Sequence, residues 1–334
     1  MNARKTSAKI FINGTDATQD ISNHLEKIQY VDNLSGSVDT VELQLCDVEK
    51  LFLNDWQIER GDTLEITLIK NWNEEETLEL KTFEVDEINF SMPPSVMRIK
   101  ANSCSQNSYL RQVDESKSWE HVKLSKIAQD ITTEAGMELF FRADDVEIER
   151  AEQGEQSALS FLEKLCRDNY LALKVSDNQI IIFDEKELDA SEPALTIKSG
   201  DAILKRIDIK AKLTDVYKAC EVNYQHGKHA EKYSAKIEDS TKSTGKTLKI
   251  NKKVNSQAEA ERLAENELRE RNKKENTLTL TCAGDFRLVA GNVIALESFG
   301  VFDGNWLIEK ATHSVGSGYE VRVECRKCLL SDDA

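Results

Sequence analysis

Two β-rich regions of this chain repeat the same succession of turns and strands. Arg60-Gly61-Asp62-Thr63-Leu64-Glu65-Ile66 parallels Ala290-Gly291-Asn292-Val293-Ile294-Ala295-Leu296. Further on, the run from Phe83 to Ser91 parallels that from Trp306 to Ser314, and Met97-Arg98-Ile99-Lys100 parallels Val321-Arg322-Val323-Glu324. In both places a glycine turn, a strand, an aromatic-led strand and a strand with a central arginine follow in order. Two readings stay open. Small barrels in general share glycine turns and alternating strands, or one barrel has been duplicated with other material inserted between the copies.

The material between them has a different period. From Gln156 to Cys166, Leu159, Phe161, Leu162, Leu165 and Cys166 recur at helical spacing, and two short β runs follow, Tyr170–Val175 and Gln179–Phe183. Ser176-Asp177-Asn178 suits the turn between them. Upstream, His121 to Ile131 carries Leu124, Ile127, Ala128 and Ile131 on one helical face, with Gly136 as its terminator and Met137–Phe141 as a strand.

The fold class expected is therefore α+β and β-rich, with two similar small barrels flanking a small α+β domain. The boundaries fall at 1–115, 116–190 and 191–334. The third part contains a lysine-rich segment, 226–253, read as an exposed hairpin or partly mobile loop. A helix at 256–272 follows, capped by Asn255, with Ala260, Leu263, Ala264 and Leu268 as its apolar stripe. The polar run Asn71–Glu79 reads as a loop or hairpin tip.

Composition narrows the functions. A chain of 334 residues with 40% hydrophobic and 31% charged residues has material for more than one core. No apolar run approaches the roughly 20 residues that span a bilayer, and the start lacks a secretory h-region, so synthesis and first use in a cytoplasm are expected. The net charge of −16 disfavours general nucleic-acid binding. Cys46, Cys104, Cys166, Cys220, Cys282, Cys325 and Cys328 are odd in number and scattered, several in apolar phase; they read as reduced core residues.

Candidates for chemistry are few. His226 and His229, with Cys220 upstream, superficially resemble a metal cluster but lack a second pair at useful spacing. Cys325 and Cys328 form a lone C-x-x-C at the end of a strand. The Gly245-Lys246-Thr247 tripeptide lacks the first glycine of a phosphate loop. The acidic run Asp144-Asp145-x-Glu147-x-Glu149 reads as a solvated loop. No catalytic, metal or cofactor residue is assigned, no cofactor is expected, and the chain reads as a non-enzyme. A cell-wall hydrolase would need a placed carboxylate pair, metal or cysteine site. A carbohydrate-binding module would need clustered aromatics, whereas Trp56, Trp72, Trp119 and Trp306 are spread along the chain.

Three stretches, taken together in order and spacing, resemble the phage late control protein D family. They are Val122–Ile131 through Gly136-Met137-Glu138-Leu139, Gln156–Cys166 before its hairpin, and Ala258–Ala264 through Gly284-Asp285, Leu288-x-x-Gly291, Phe302-Asp303-Gly304-x-Trp306 and His313. Members are tail hub proteins of contractile phages and phage-derived injection machines, similar to the hub portion of type VI secretion spikes. The resemblance implies a homotrimer whose two tube-like barrels per chain make a pseudo-hexameric ring. That ring joins the sixfold tail tube, or a tube initiator, to a trimeric spike and other baseplate proteins. It also implies residence in a virion or injection particle. Nothing after Cys328 could supply a needle, so the spike is expected to be a separate chain.

Overall fold

Alternation in the outer regions becomes sheet because every second side chain finds an apolar partner. In Thr40–Cys46, Val41, Leu43 and Leu45 are fully buried while the residues between them stay partly exposed. The computed structural model describes residues 5–329 except 55, 73, 104–109, 111–116, 177, 226–231 and 255. The first region holds β1 (Lys5–Ile12), β2 (Thr15–Asp16), α1 (Thr18–Ser22), β3 (Leu25–Asn33), β4 (Thr40–Cys46), β5 (Thr63–Asn71), β6 (Glu75–Ser91) and β7 (Val96–Asn102). The middle holds β8 (Ser118–Lys123), α2 (Leu124–Glu134), β9 (Glu138–Arg142), β10 (Glu147–Glu152), α3 (Ala158–Asp168), β11 (Ala172–Ser176), β12 (Gln179–Phe183) and α4 (Glu185–Asp189). The last holds β13 (Leu195–Lys198), β14 (Leu204–Ala211), β15 (Tyr217–Gln225), β16 (Lys232–Glu238), β17 (Lys246–Ile250) and α5 (Gln257–Asn272). It ends with β18 (Asn276–Ala283), β19 (Val293–Glu297), β20 (Gly304–Val315) and β21 (Tyr319–Lys327).

The fold is β-rich α+β, but the two outer regions are not a pair of closed barrels. They join in one open 13-stranded sheet, ordered β14-β18-β21-β20-β3-β4-β7-β6-β5-β1-β2, with β19 on β20 and β13 on β19. The cause is the length of β20. Its first residues pair with β19, and from Lys310 to Val315 it pairs antiparallel with β3, so the two regions share a ladder. They also share one apolar core, in which Tyr30 and Phe83 sit with Trp306 and Val321.

The middle region folds on a separate core of Leu124, Ile127, Phe161, Leu162, Ile180 and Ile182. α3 and the β11–β12 hairpin form as the sequence predicts. Ser157 caps the helix by accepting from the Ser160 amide at 3.3 Å, and β9 joins the hairpin in parallel with β12. The preceding helix is shorter than its period predicts. His121, Val122 and Lys123 belong to β8, which pairs with β10, and α2 begins only at Leu124. The acidic run is a loop only in its first part: Asp144 and Asp145 lie between β9 and β10. Glu147 and Glu149 lie in β10, and Asp145 bonds the Ser125 amide at 3.0 Å at the start of α2. The run 71–79 is the hairpin tip of the two alternatives: β5 ends at Asn71 opposite Glu75, where β6 starts, and the two strands pair antiparallel back from there.

Where it is described, the lysine-rich segment carries the hairpin alternative, with β16 antiparallel to β15, and continues into a further strand, β17. β16 and β17 flank β15 in a three-stranded sheet, and α5 covers that sheet with Ala260, Leu263 and Ala264 packed near Cys220 and Val222. The cap of α5 is Ser256, whose hydroxyl accepts from the Glu259 amide at 3.1 Å. Asn255 lies outside the described residues.

Candidate functional site

The residues singled out for chemistry do not converge. His226, His229 and Cys104 lie outside the described residues. Cys220 faces the core under α5, and Cys325 is buried in the main sheet. Burial pushes the Cys325 thiol well above its usual value and the Cys328 thiol up to about 12, which suppresses the reactive thiolate. Gly245-Lys246-Thr247 leads into a strand, not a helix. Trp119 stacks on Phe161 and Trp306 is fully buried, so these two rings serve cores. Among the described residues no group of three His, Cys, Asp or Glu side chains is placed to hold a metal ion.

What the structure does build is a duplicated unit with matched irregularities. Six strands of the first region, ordered β3-β4-β7-β6-β5-β1, correspond in chain order and neighbours to β14-β18-β21-β20-β19-β13. Thr63 faces Glu84 and Leu64 faces Phe83; correspondingly Val293 faces Leu307 and Ile294 faces Trp306. Asn89 faces Arg98 as Thr312 faces Arg322. The β6–β7 ladder has its bulge between Val85 and Glu87, and the β20–β21 ladder between Ile308 and Lys310. A second bulge lies between Leu25 and Lys27 in β3 and between Leu204 and Arg206 in β14.

The turns agree to the hydrogen bond. The Gly61 amide donates to the Val85 carbonyl at 2.8 Å and the Gly291 amide to the Ile308 carbonyl at 2.9 Å. Both glycines hold φ near +90° (93° and 91°), which favours glycine. Bulges are positional features rather than general properties of barrels, so their coincidence decides for duplication. The copies differ at one edge. β1 runs antiparallel to β5, whereas β13 runs parallel to β19.

The copies meet at a seam between β20 and β3, in register from Lys310 opposite Asn33 to Val315 opposite Ile28. Rings of Tyr30 and His313 face each other across it at 5.7 Å, and His313 Nδ1 lies 2.7 Å from the Tyr319 hydroxyl. Burial lowers the His313 pKa to about 4 and keeps the ring neutral. Leu34, just past β3, donates its amide to the Glu309 carbonyl at 2.9 Å. Its side chain packs with Val293, Leu307 and Cys328.

Two buried ionic joints tie the other units to this sheet. Lys174, on β11, pairs with Asp32 and, at 3.1 Å, with Asp39, and donates to the Asn33 carbonyl at 2.9 Å. Asp32 also accepts from the Ala290 amide at 2.8 Å, so one cluster holds the middle unit and both copies. Burial raises the Asp39 carboxyl to about 6 against the pull of Lys174, because one ammonium serves two carboxylates. Burial works against the Lys174 charge, yet Asp32 and Asp39 outweigh it and raise the ammonium pKa. The second joint centres on Arg326, 1% exposed, which bonds Asp189 at 2.7 Å and Glu185 at 3.1 Å. Arg269 and Lys273 of α5 complete it on the same two carboxylates. Asp32 could have been found in sequence, since it shares the inward phase of Ile28 and Tyr30. Lys174 and Arg326 lie out of phase on their strands and gave no signal.

With this architecture in view, the kinship of the chain can be stated. A family model described as YQBQ-like matches residues 28–324. The chain belongs to the YQBQ-like family. No curated protein sequence matches it. In structure it is similar to the 43 kDa tail protein of prophage MuSo2 from Shewanella oneidensis, at 14% identity and a TM-score of 0.72, covering 95% of this chain and 97% of that one. It is similar to a tail protein from Neisseria meningitidis MC58, at 11% identity and a TM-score of 0.70, covering 96% of each chain. A component of the E. coli type VI secretion system, itself described as similar to the T4 tail proteins gp27 and gp5, matches at 11% identity and a TM-score of 0.55, covering 92% of this chain and 74% of that one. The fold is that of phage tail proteins and a type VI secretion component, in keeping with the resemblance to tail hubs read from the motifs.

Proposed function

We propose that this YQBQ-like protein is a structural, non-enzymatic hub of a contractile phage tail or phage-derived injection system. As a homotrimer it would adapt a sixfold tail tube to a threefold central spike. Its partners are then the tube protein or a tube initiator, the trimeric spike and other baseplate proteins, without specific nucleic-acid binding or membrane insertion. It would reside in the virion or injection particle after assembly in the bacterial cytoplasm.

The observation that carries this reading is the duplication, with both bulges and the glycine turn repeated in register. A chain holding two equivalent units can present six similar edges to a sixfold partner while its own symmetry stays threefold. The likeness to tail proteins supports the same reading. Division at 1–115, 116–190 and 191–334 belongs to it, with the middle unit and α5 bracing the duplicated sheet through the Lys174 and Arg326 joints. Such joints resist shear because separating them strands charges away from water.

Mass measurement in solution with low-resolution imaging, alone and with the tube and spike proteins of the same particle, tests the proposal. A trimeric ring is expected. A persistent monomer at high concentration that forms no ring with either partner would overturn it.

A further inference from the structure

The duplication leaves one half of its own seam unused on each copy. Within the chain, the second copy offers β20 and the first offers β3. Their counterparts are the outer part of β6, from Glu87 to Ser91, and β14. β6 pairs with β7 over that stretch and with β5 only up to Glu84, and β14 pairs only with β18 among the described residues. Each therefore keeps one open backbone edge, the kind of edge that accepts a further strand.

The side chains repeat the seam as well. By the matched bulge positions, Leu213 stands where Leu34 stands in the first copy. Leu34 is 5% exposed and Leu213 is 86% exposed. Leu34 fits beside Gly291, where an added Cβ would lie 3.5 Å from it; the matching Gly61 has nothing within 4 Å. Beside Gly61 the surface opens into a groove of about 780 Å3, between Gln57–Gly61 and Glu84–Ile88. An exposed leucine thus sits past the end strand β14 in the second copy, and an open groove beside β6 in the first. Met92, the counterpart of Val315 at the end of the seam, is 62% exposed.

The geometry points to a joint between chains in which β14 of one chain adds antiparallel to the outer half of β6 of the next, seating Leu213 in the groove beside Gly61. The occupant is a second copy of this chain, because β14 is the counterpart of β3, the strand that fills the equivalent edge of β20 within the chain. The register follows from the in-chain ladder. Lys310 opposite Asn33 becomes Glu87 opposite Lys212, Thr312 opposite Val31 becomes Asn89 opposite Lys210, and His313 opposite Tyr30 becomes Phe90 opposite Ile209. Glu87 facing Lys212 is a favourable cross-strand pair, and Phe90 facing Ile209 continues the apolar layer. The joint is head-to-tail, so it closes into a ring once the repeated rotation completes a turn. It rests on the trimeric hub reading and adds to it the strands, register and anchor.

Paired cysteines test the register, and one substitution tests the anchor. Asn89→Cys/Lys210→Cys is expected to give covalent oligomers of two and three chains under mild oxidation. The single variants and the off-register pair Asn89→Cys/Lys212→Cys are expected to give none. Leu213→Asp is expected to abolish the trimer while leaving the far-ultraviolet circular dichroism and thermal midpoint unchanged, because Leu213 is exposed in the single chain. If Leu213→Asp unfolds, the cysteine pairs carry the decision. A wild-type trimer that survives Leu213→Asp and forms no cross-link through Asn89→Cys/Lys210→Cys overturns the joint and leaves the hub reading standing. A wild type that stays monomeric alone and with the particle's spike protein overturns both.

Discussion

Replacing Lys174 by methionine removes the one cation shared by two buried carboxylates while keeping the length of the side chain. Asp32 and Asp39 are 4% and 2% exposed, so neither gains water when the ammonium goes. Removing one partner of a buried ion pair costs about 3–5 kcal/mol, because the remaining charge is left uncompensated. The cheapest response is protonation of Asp39, whose carboxyl already sits near 6 with Lys174 in place. The sign follows from linkage. Above about pH 6 the wild type's Asp39 has lost its proton while the variant's folded state still binds one that its unfolded chain does not, so the deficit grows there by about 1.4 kcal/mol per pH unit for as long as the variant's Asp39 stays protonated. Lys174→Met should therefore lose about 3–5 kcal/mol at pH 8 and markedly less at pH 5.5. Urea unfolding followed by tryptophan fluorescence at the two pH values measures both quantities, and Lys174→Met/Asp39→Asn should recover most of the loss at pH 8. A loss below about 1 kcal/mol at pH 8, within the range of an exposed pair, would refute the reasoning, as would a loss independent of pH.

Trp306→Ala empties a fully buried site at the duplicated turn and strands the Phe302 carbonyl that accepts from the indole at 3.1 Å; a loss of about 3–5 kcal/mol in denaturant unfolding is expected. Gly284→Ala places a methyl 1.8 Å from the Tyr319 ring, so the ring must shift, and a lower thermal midpoint equivalent to about 1–3 kcal/mol should follow. His313 is buried neutral with its pKa lowered to about 4, so it contributes stability above pH 6.5 that is lost as pH falls toward 4. The raised Asp39 acts in the opposite direction across about pH 4–6, so the difference between wild type and His313→Phe isolates the histidine part. That variant should unfold less steeply with acid, and an unchanged acid limb would count against a buried neutral ring. Ser256→Ala should cost about 1 kcal/mol and fray the start of α5 in hydrogen exchange.

Local pattern was enough for much of this molecule. The strands of both outer regions, the α3–hairpin unit and α5 are written in periods of two and of three to four residues, and they formed where those periods lie. The repeat was legible too, in the register later seen in the ladders, because side-chain alternation and a glycine needing positive φ are properties of a few consecutive residues. His121–Lys123 was misread as helix because its apolar spacing suits both periods, and only the pairing with β10 chooses between them. Of the acidic run, Asp144 and Asp145 are loop as read, whereas Glu147 and Glu149 belong to a strand that charge does not reveal because its partner, β8, is distant in the chain.

Whether two β regions stay apart or fuse was beyond any local signal. It depends on β20 outrunning β19 and finding β3, some 280 residues earlier in the chain, a contact set by strand length and edge geometry. The ionic joints were hidden for the same reason. Lys174 and Arg326 occupy outward phases on their own strands, and become interior only when other units close over them. Sequence alone thus determined the parts and displayed the repeat, since those follow from neighbouring residues, while the matched bulges that decide for duplication show only in the paired ladders. Tertiary structure alone decided the seam, the joints and the open edges, since each is made by residues that meet only after the chain has folded back on itself.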